Sequence, residues 1–99
     1  MVVRKFDTLN EMEIFFINEK DFIYRLMYYR IEEMYSKNLD EITIIECFSK
    51  DVLVSINLIL YKDTIGEALN RVEDYFSKIE EYEKCSKILE YKKYYELGF

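Results

Sequence analysis

Between Val52 and Tyr61 every second residue is aliphatic. Val52, Val54, Ile56, Leu58 and Leu60 form one face; Leu53, Ser55, Asn57, Ile59 and Tyr61 form a mixed one. A period of two predicts a strand with one face on a core. Upstream, Glu41 to Phe48 is short and β-branched, and Ser49-Lys50-Asp51 is polar, so the two segments predict an antiparallel hairpin. Its register stays open. A three-residue loop aligns Phe48, Ile44 and Ile42 with the aliphatic face and carries Glu46 with them; a four-residue loop brings Ile45 and Cys47 there and turns Glu46 outward. One residue of slip exchanges the faces. A lone hairpin is marginal, which makes Val2 to Phe6 a candidate third strand.

Elsewhere the period is helical. Thr8-Leu9-Asn10-Glu11 has the form of a capping box, followed by Leu9, Met12, Phe16 and Ile17 near helical spacing. Asn18 to Asp21 is a polar gap in which Asp21 can cap a second helix. From Phe22 to Lys37, Ile23, Tyr24, Leu26, Met27, Tyr28, Ile31, Met34 and Tyr35 share a face; Arg25, Tyr29, Glu32, Glu33 and Ser36 lie opposite. One bent helix over 9–37 and a pair of helices satisfy the pattern equally. Asn38 suits the C-terminal cap, because Asn tolerates a left-handed backbone. Thr64-Ile65-Gly66-Glu67 reads as a second capping box. After it Ile65, Ala68, Val72, Tyr75, Ile79 and Tyr82 recur at spacings of three and four. Residues 65–97 predict either one long helix or two, with a break near Glu80-Glu81 favoured by the small radius of a chain this size. The reading is an α+β fold in a single domain: an N-terminal helix or helix pair, a central antiparallel hairpin with a possible third strand from the N-terminus, and a C-terminal long helix or helix pair.

Composition narrows the chemistry more than the fold. The 99 residues contain no His, Trp or Pro and only two Cys. A catalytic triad and a Cys–His pair need an imidazole that this chain does not supply, and two Cys without a His cannot complete a zinc finger. With two glycines neither a Walker loop nor a dinucleotide-binding fingerprint can be written. Cys47 and Cys85 read as reduced, buried thiols. Glu90-Tyr91-Lys92 has a nuclease-like Glu-x-Lys spacing, but in a helical context. The expectation is a non-enzymatic protein with no catalytic residues, no metal and no cofactor. Met1 to Phe6 carries two basic residues with no apolar stretch behind it, and the longest uncharged run is ten residues, Val52 to Tyr61. A membrane helix needs ~20. The chain is therefore expected to be cytoplasmic, with no membrane partner. Abundant Lys, Ile, Tyr, Phe and Asn, all with AT-rich codons, fit a low-GC bacterium or its phage.

Charge is unevenly spread. The net charge is −6, made up of zero over residues 1–30, −8 over 31–83 and +2 over 84–99. An acidic body repels duplex nucleic acid and attracts a basic protein surface. Glu73, Asp74, Glu80, Glu81 and Glu83 form the densest acidic stretch, and Tyr82, Tyr91, Tyr94 and Tyr95 supply aromatic contact area nearby. These nine residues are the expected partner-binding set. The expected partner is a larger protein with a basic surface, such as nucleic-acid-handling machinery. Size and sign match phage-encoded inhibitors such as anti-CRISPR proteins, as an analogy of class alone. Two alternatives stand beside this reading. One is a homodimer or larger assembly through the heptad-like stretch from Ile65 to Tyr82. The other is a small-ligand or nucleotide binder using Arg30, Lys84 or Lys87. Arg30, on the flank of an apolar stripe, is expected either to reach solvent or to pair with Glu46 on the hairpin.

Overall fold

The chain folds into β1 (Val2–Phe6), α1 (Leu9–Asn18), α2 (Lys20–Ser36), β2 (Glu41–Ser49), β3 (Val54–Tyr61), α3 (Ile65–Lys78) and α4 (Tyr82–Leu97), with a 3-10 turn at Lys62–Thr64. This is a computed structural model that describes residues 2–97. The architecture is α+β, and the third strand forms. The sheet has the order β1-β2-β3, with β1 parallel and β3 antiparallel to β2. A parallel neighbour needs a long crossover, and the α1–α2 pair supplies it.

Hairpin register is decided by a four-residue turn, Lys50 to Leu53, so that Ser49 faces Val54, Cys47 faces Ile56 and Ile45 faces Leu58. Val52 therefore belongs to the turn and not to the strand. A bulge between Thr43 and Ile45 then moves the ladder by one residue and brings Ile42 opposite Leu60. The five pairs from Ile45 to Ser49 thus have the facing expected of a four-residue turn, and beyond the bulge Ile42 joins the aliphatic face as well. The bulge also lets two successive residues, Ile44 and Ile45, both be buried. Glu46, opposite Asn57, is half-buried on the other face. Asp51 fastens the turn. One of its carboxylate oxygens accepts from the Val52 N–H at 2.8 Å, from the Leu9 N–H at 3.1 Å and from the Ser49 hydroxyl. The start of α1 is thereby tied to the hairpin tip.

Both helical stretches break. α1 and α2 meet at Glu19, whose backbone (φ −105°, ψ 38°) leaves the helical region for one residue. Hydrogen bonds run through the bend, from the Glu19 N–H to Phe15 at 2.9 Å and from the Ile23 N–H to Glu19 at 3.1 Å. Asp21 is not the cap expected of it; it lies in the first turn of α2 and turns its carboxylate to Arg25 and Tyr75. Thr8 caps α1, accepting from the Glu11 N–H at 3.1 Å, while Glu11 reaches back to the Asp7 N–H. The matching box at Thr64 does not form. The 3-10 turn leaves Thr64 at ψ 13°, outside the extended geometry a capping hydroxyl needs.

Two helix ends close in the same way. At the end of α2, Asn38 has φ 52°, the Leu39 N–H bonds the Met34 carbonyl at 3.0 Å and the Asn38 N–H bonds that of Tyr35 at 3.3 Å. At the end of α3, Glu80 has φ 63°, the Glu81 N–H bonds Phe76 at 2.9 Å and the Glu80 N–H bonds Ser77 at 3.1 Å. Both are paired 6→1 and 5→2 closures around a left-handed residue. The break near Glu80 is thus a built turn that folds α4 back on α3.

One apolar cluster joins all these elements. Met12, Ile31, Met34, Ile45, Val72, Phe76 and Ile88 are fully buried in it. The inward stripe of α3 is Ile65, Leu69, Val72 and Phe76, with Ala68 and Tyr75 on its flank. Ile79 and Tyr82, expected to continue the stripe, are exposed. Of the heptad-like positions, Ile65 and Val72 are buried, and Ala68 and Tyr75 flank the core.

Candidate functional site

The α3–α4 turn is held from below by charge. Arg25 extends from α2 and grips the Glu81 carboxylate with both guanidinium arms, Nη1 to Oε1 at 3.0 Å and Nη2 to Oε2. Its Nε donates to Asp21 at 2.9 Å, its own i−4 neighbour. Asp21 in turn accepts from the Tyr75 hydroxyl, and the Tyr75 ring stacks on Tyr24 at 4.4 Å, 9° from parallel. Lys84 adds a second cation to Glu81 at 3.1 Å. Both cations lie over Phe76, Arg25 at 5.6 Å and Lys84 at 5.8 Å from the ring centre. The network links α2, α3 and α4 and fixes the position of the turn. A forked, planar cation suits this task because two parallel bonds define an orientation as well as a distance.

Glu81 is held as a carboxylate by these contacts. Its hydrogen bond to Arg25, and then that to Lys84, depress its pKa from 4.5 to about 2. A depressed carboxyl contributes stability that is complete above about 4.5 and is lost as pH falls through about 2. Asp21, Glu33 and Asp51 are also lowered, each mainly by a side-chain hydrogen bond. Thermal melts between pH 7 and pH 2 are therefore expected to show a steady acid loss, and Glu81→Gln is expected to shrink it without removing it. A Glu81→Gln profile parallel to the wild type would show that the Arg25 grip does not act on folding.

The nine expected partner-binding residues separate into two groups. Glu81 faces inward. Glu73 accepts from Lys92 at 2.9 Å across α3 and α4. Tyr91 is buried, with its hydroxyl 3.3 Å from Glu32 and burial pushing its pKa up. Tyr95 packs against the core. Tyr94 is half-buried, edge-on to Tyr35 at 4.8 Å, and donates to Asn38 at 3.1 Å. What remains outward is Glu80, Tyr82 and Glu83, with Asp74 nearby in sequence on α3 and paired to Lys78 at 2.9 Å on the surface. Tyr82 is 61% exposed, and neither Glu80 nor Glu83 has an ion pair among the described residues. Ile79, 40% exposed, completes the knuckle. The sequence carried one signal of the arrangement, the Asp21–Arg25 spacing of four. The long-range partner, Glu81, has none.

Other chemistry is sparse. Both cysteines are free. Burial pushes each thiol up, which keeps it protonated and a poor nucleophile. Among the described residues no three His, Cys, Asp or Glu side chains converge as a metal set. Glu90 and Lys92 of the Glu-x-Lys pattern point to different partners, Lys87 at 3.9 Å and Glu73. The cations considered for phosphate binding are each paired: Arg30 with Glu33 at 2.8 Å, Lys84 with Glu81 and Lys87 with Glu90. Arg30 thus pairs within its helix and not with Glu46, because a carboxylate three residues on is closer than the sheet. An open groove of about 280 Å³ between β3 and α3 is lined by Met27, Ile44, Leu58, Ala68 and Arg71 among others. No helix of the described residues is long and apolar enough to cross a membrane. No protein family, curated protein or solved structure matches the chain.

Proposed function

We propose that this chain is a small, non-catalytic protein-binding module that docks on a basic surface of a larger protein through the α3–α4 turn. The observation that carries the reading is the contrast within five residues. Glu81 is held in place by Arg25 and Lys84, while Ile79, Glu80, Tyr82 and Glu83 face solvent with no ion pair among the described residues. A rigid, pre-positioned contact loses little conformational entropy on binding. An exposed Tyr beside unpaired carboxylates combines contact area with charge, the mixture that suits an Arg- or Lys-rich partner. The chain's net charge of −6 adds long-range attraction to such a surface. An inhibitor that covers a nucleic-acid-binding face and an adaptor that joins two proteins both use this chemistry.

The test is capture of partners from a native cell extract on the immobilised chain, followed by affinity measurement with the dominant partner. Reversing Glu80 and Glu83 to Lys is expected to weaken the complex at least about 100-fold, close to 3 kcal/mol. Raising salt from ~0.1 to ~0.5 M is expected to weaken the wild-type complex by slowing association. A complex unmoved by both changes overturns the reading.

A further inference from the structure

We propose that the free edge of β3 pairs with β3 of a second copy of the chain, antiparallel and about a two-fold axis. The two edges of the sheet are built differently. β1 is five residues long and carries the adjacent cations Arg4 and Lys5, the usual protection of an edge against further pairing. β3 is eight residues long, about 26 Å at ~3.3 Å per residue. It has no charge, no Gly and no Pro, and the bulge of the hairpin is on its partner β2. It is also unusually open: Val54 and Ile56, on the inward face, are 39% and 38% exposed, and neither belongs to the core cluster. An uncharged, β-branched, exposed edge strand is an aggregation hazard unless something covers it.

Charge selects the occupant. A chain of net −6 repels its own copies over most of its surface. The uncharged run from Val52 to Tyr61 is the place where two copies meet with least repulsion. Two-fold pairing also closes. A sheet of order β1-β2-β3-β3-β2-β1 has only the two β1 strands, with Arg4 and Lys5, at its outer edges, so assembly stops at two. Centred on Asn57, the pairing keeps inward faces together: Val54 meets Leu60 of the second copy, and Ile56 meets Leu58. The exposed half of each inward face thereby borders the covered half of the other. The surface is separate from the α3–α4 turn, so a dimer presents two docking knuckles and gains affinity for a repeated or extended partner.

Sedimentation equilibrium over micromolar to millimolar concentration is expected to give a dimer. Ile56→Lys is expected to raise its dissociation constant at least about 100-fold, since the two-fold places two lysines at one seam. Circular dichroism and a melting curve check that Ile56→Lys still folds. If it does not, Asn57→Cys in a Cys85→Ser background decides. Across a two-fold on Asn57 the Cα atoms come to ~4.5–5.5 Å, within disulfide range, and mild oxidation is expected to give a covalent dimer. A chain that stays monomeric at millimolar concentration overturns the proposal. So does a dimer that a folded Ile56→Lys leaves intact, or an Asn57→Cys chain that does not cross-link.

Discussion

Phe76→Ala is expected to lower the unfolding free energy by about 3–5 kcal/mol, a large part of the ~5–15 kcal/mol that holds a domain of this size. Phe76 is fully buried on α3. Its ring meets Tyr28 edge-on at 5.7 Å and Tyr75 at 5.2 Å, and it underlies the Arg25 and Lys84 cations. Removing it leaves a cavity beneath the charged network, where two cations and a bidentate carboxylate resist collapse. At ~4–8 °C per kcal/mol the melting temperature is expected to fall by roughly 12–40 °C. Denaturant titration checks this through a lower midpoint at unchanged slope. A loss below about 1 kcal/mol would mean that the aromatic joint between α2 and α3 is not where the fold is held.

Ile88→Ala is expected to cost about 2–5 kcal/mol, with the damage concentrated in α4. Among the described residues of this helix Ile88 and Tyr91 are buried, with Cys85 and Tyr95 partly inserted, and it packs chiefly on α3. With few inward anchors, it is an element whose local opening costs less than unfolding the whole chain. Native-state hydrogen exchange is expected to show α4 amides losing protection first in Ile88→Ala, before those of β2. Uniform loss across the molecule would show that α4 unfolds only with the whole chain. The prediction bears on docking, because α4 begins at Tyr82: loosening the helix unfixes one side of the knuckle while Glu81 still holds the other.

Local signals hold where a residue's neighbours along the chain settle its state. The stripe over Phe22 to Lys37 gives α2, since Ile23, Tyr28, Ile31 and Met34 are the buried positions. Thr8 caps because its partner is three residues away, and Asn38 takes the left-handed residue that its side chain tolerates. Thr64 has the same local signal and fails, because the chain leaves β3 through a 3-10 turn that the sheet imposes. On α3 the apolar residues at successive positions, Ala68-Leu69 and Tyr75-Phe76, leave the stripe's centre free by about one residue. Packing against Tyr28 and the sheet chooses Leu69 and Phe76. The acidic stretch was legible as composition. Which of its members face solvent was not, because that depends on Arg25, fifty-six residues away from Glu81 in sequence.

By itself, then, the sequence determined the α+β order of elements, the periodic faces, the negative midsection and the absence of imidazole chemistry. Each is a property of residues close together in the chain or of the chain summed. Tertiary structure decided the parallel placement of β1, the bulge that lets Ile44 and Ile45 both enter the core, and the division of carboxylates into Glu81, held by Arg25, and Glu80 and Glu83, left open to solvent. Those choices rest on pairings between distant segments. Such pairings are weighed by burial and geometry in three dimensions, and no spacing along the chain encodes them.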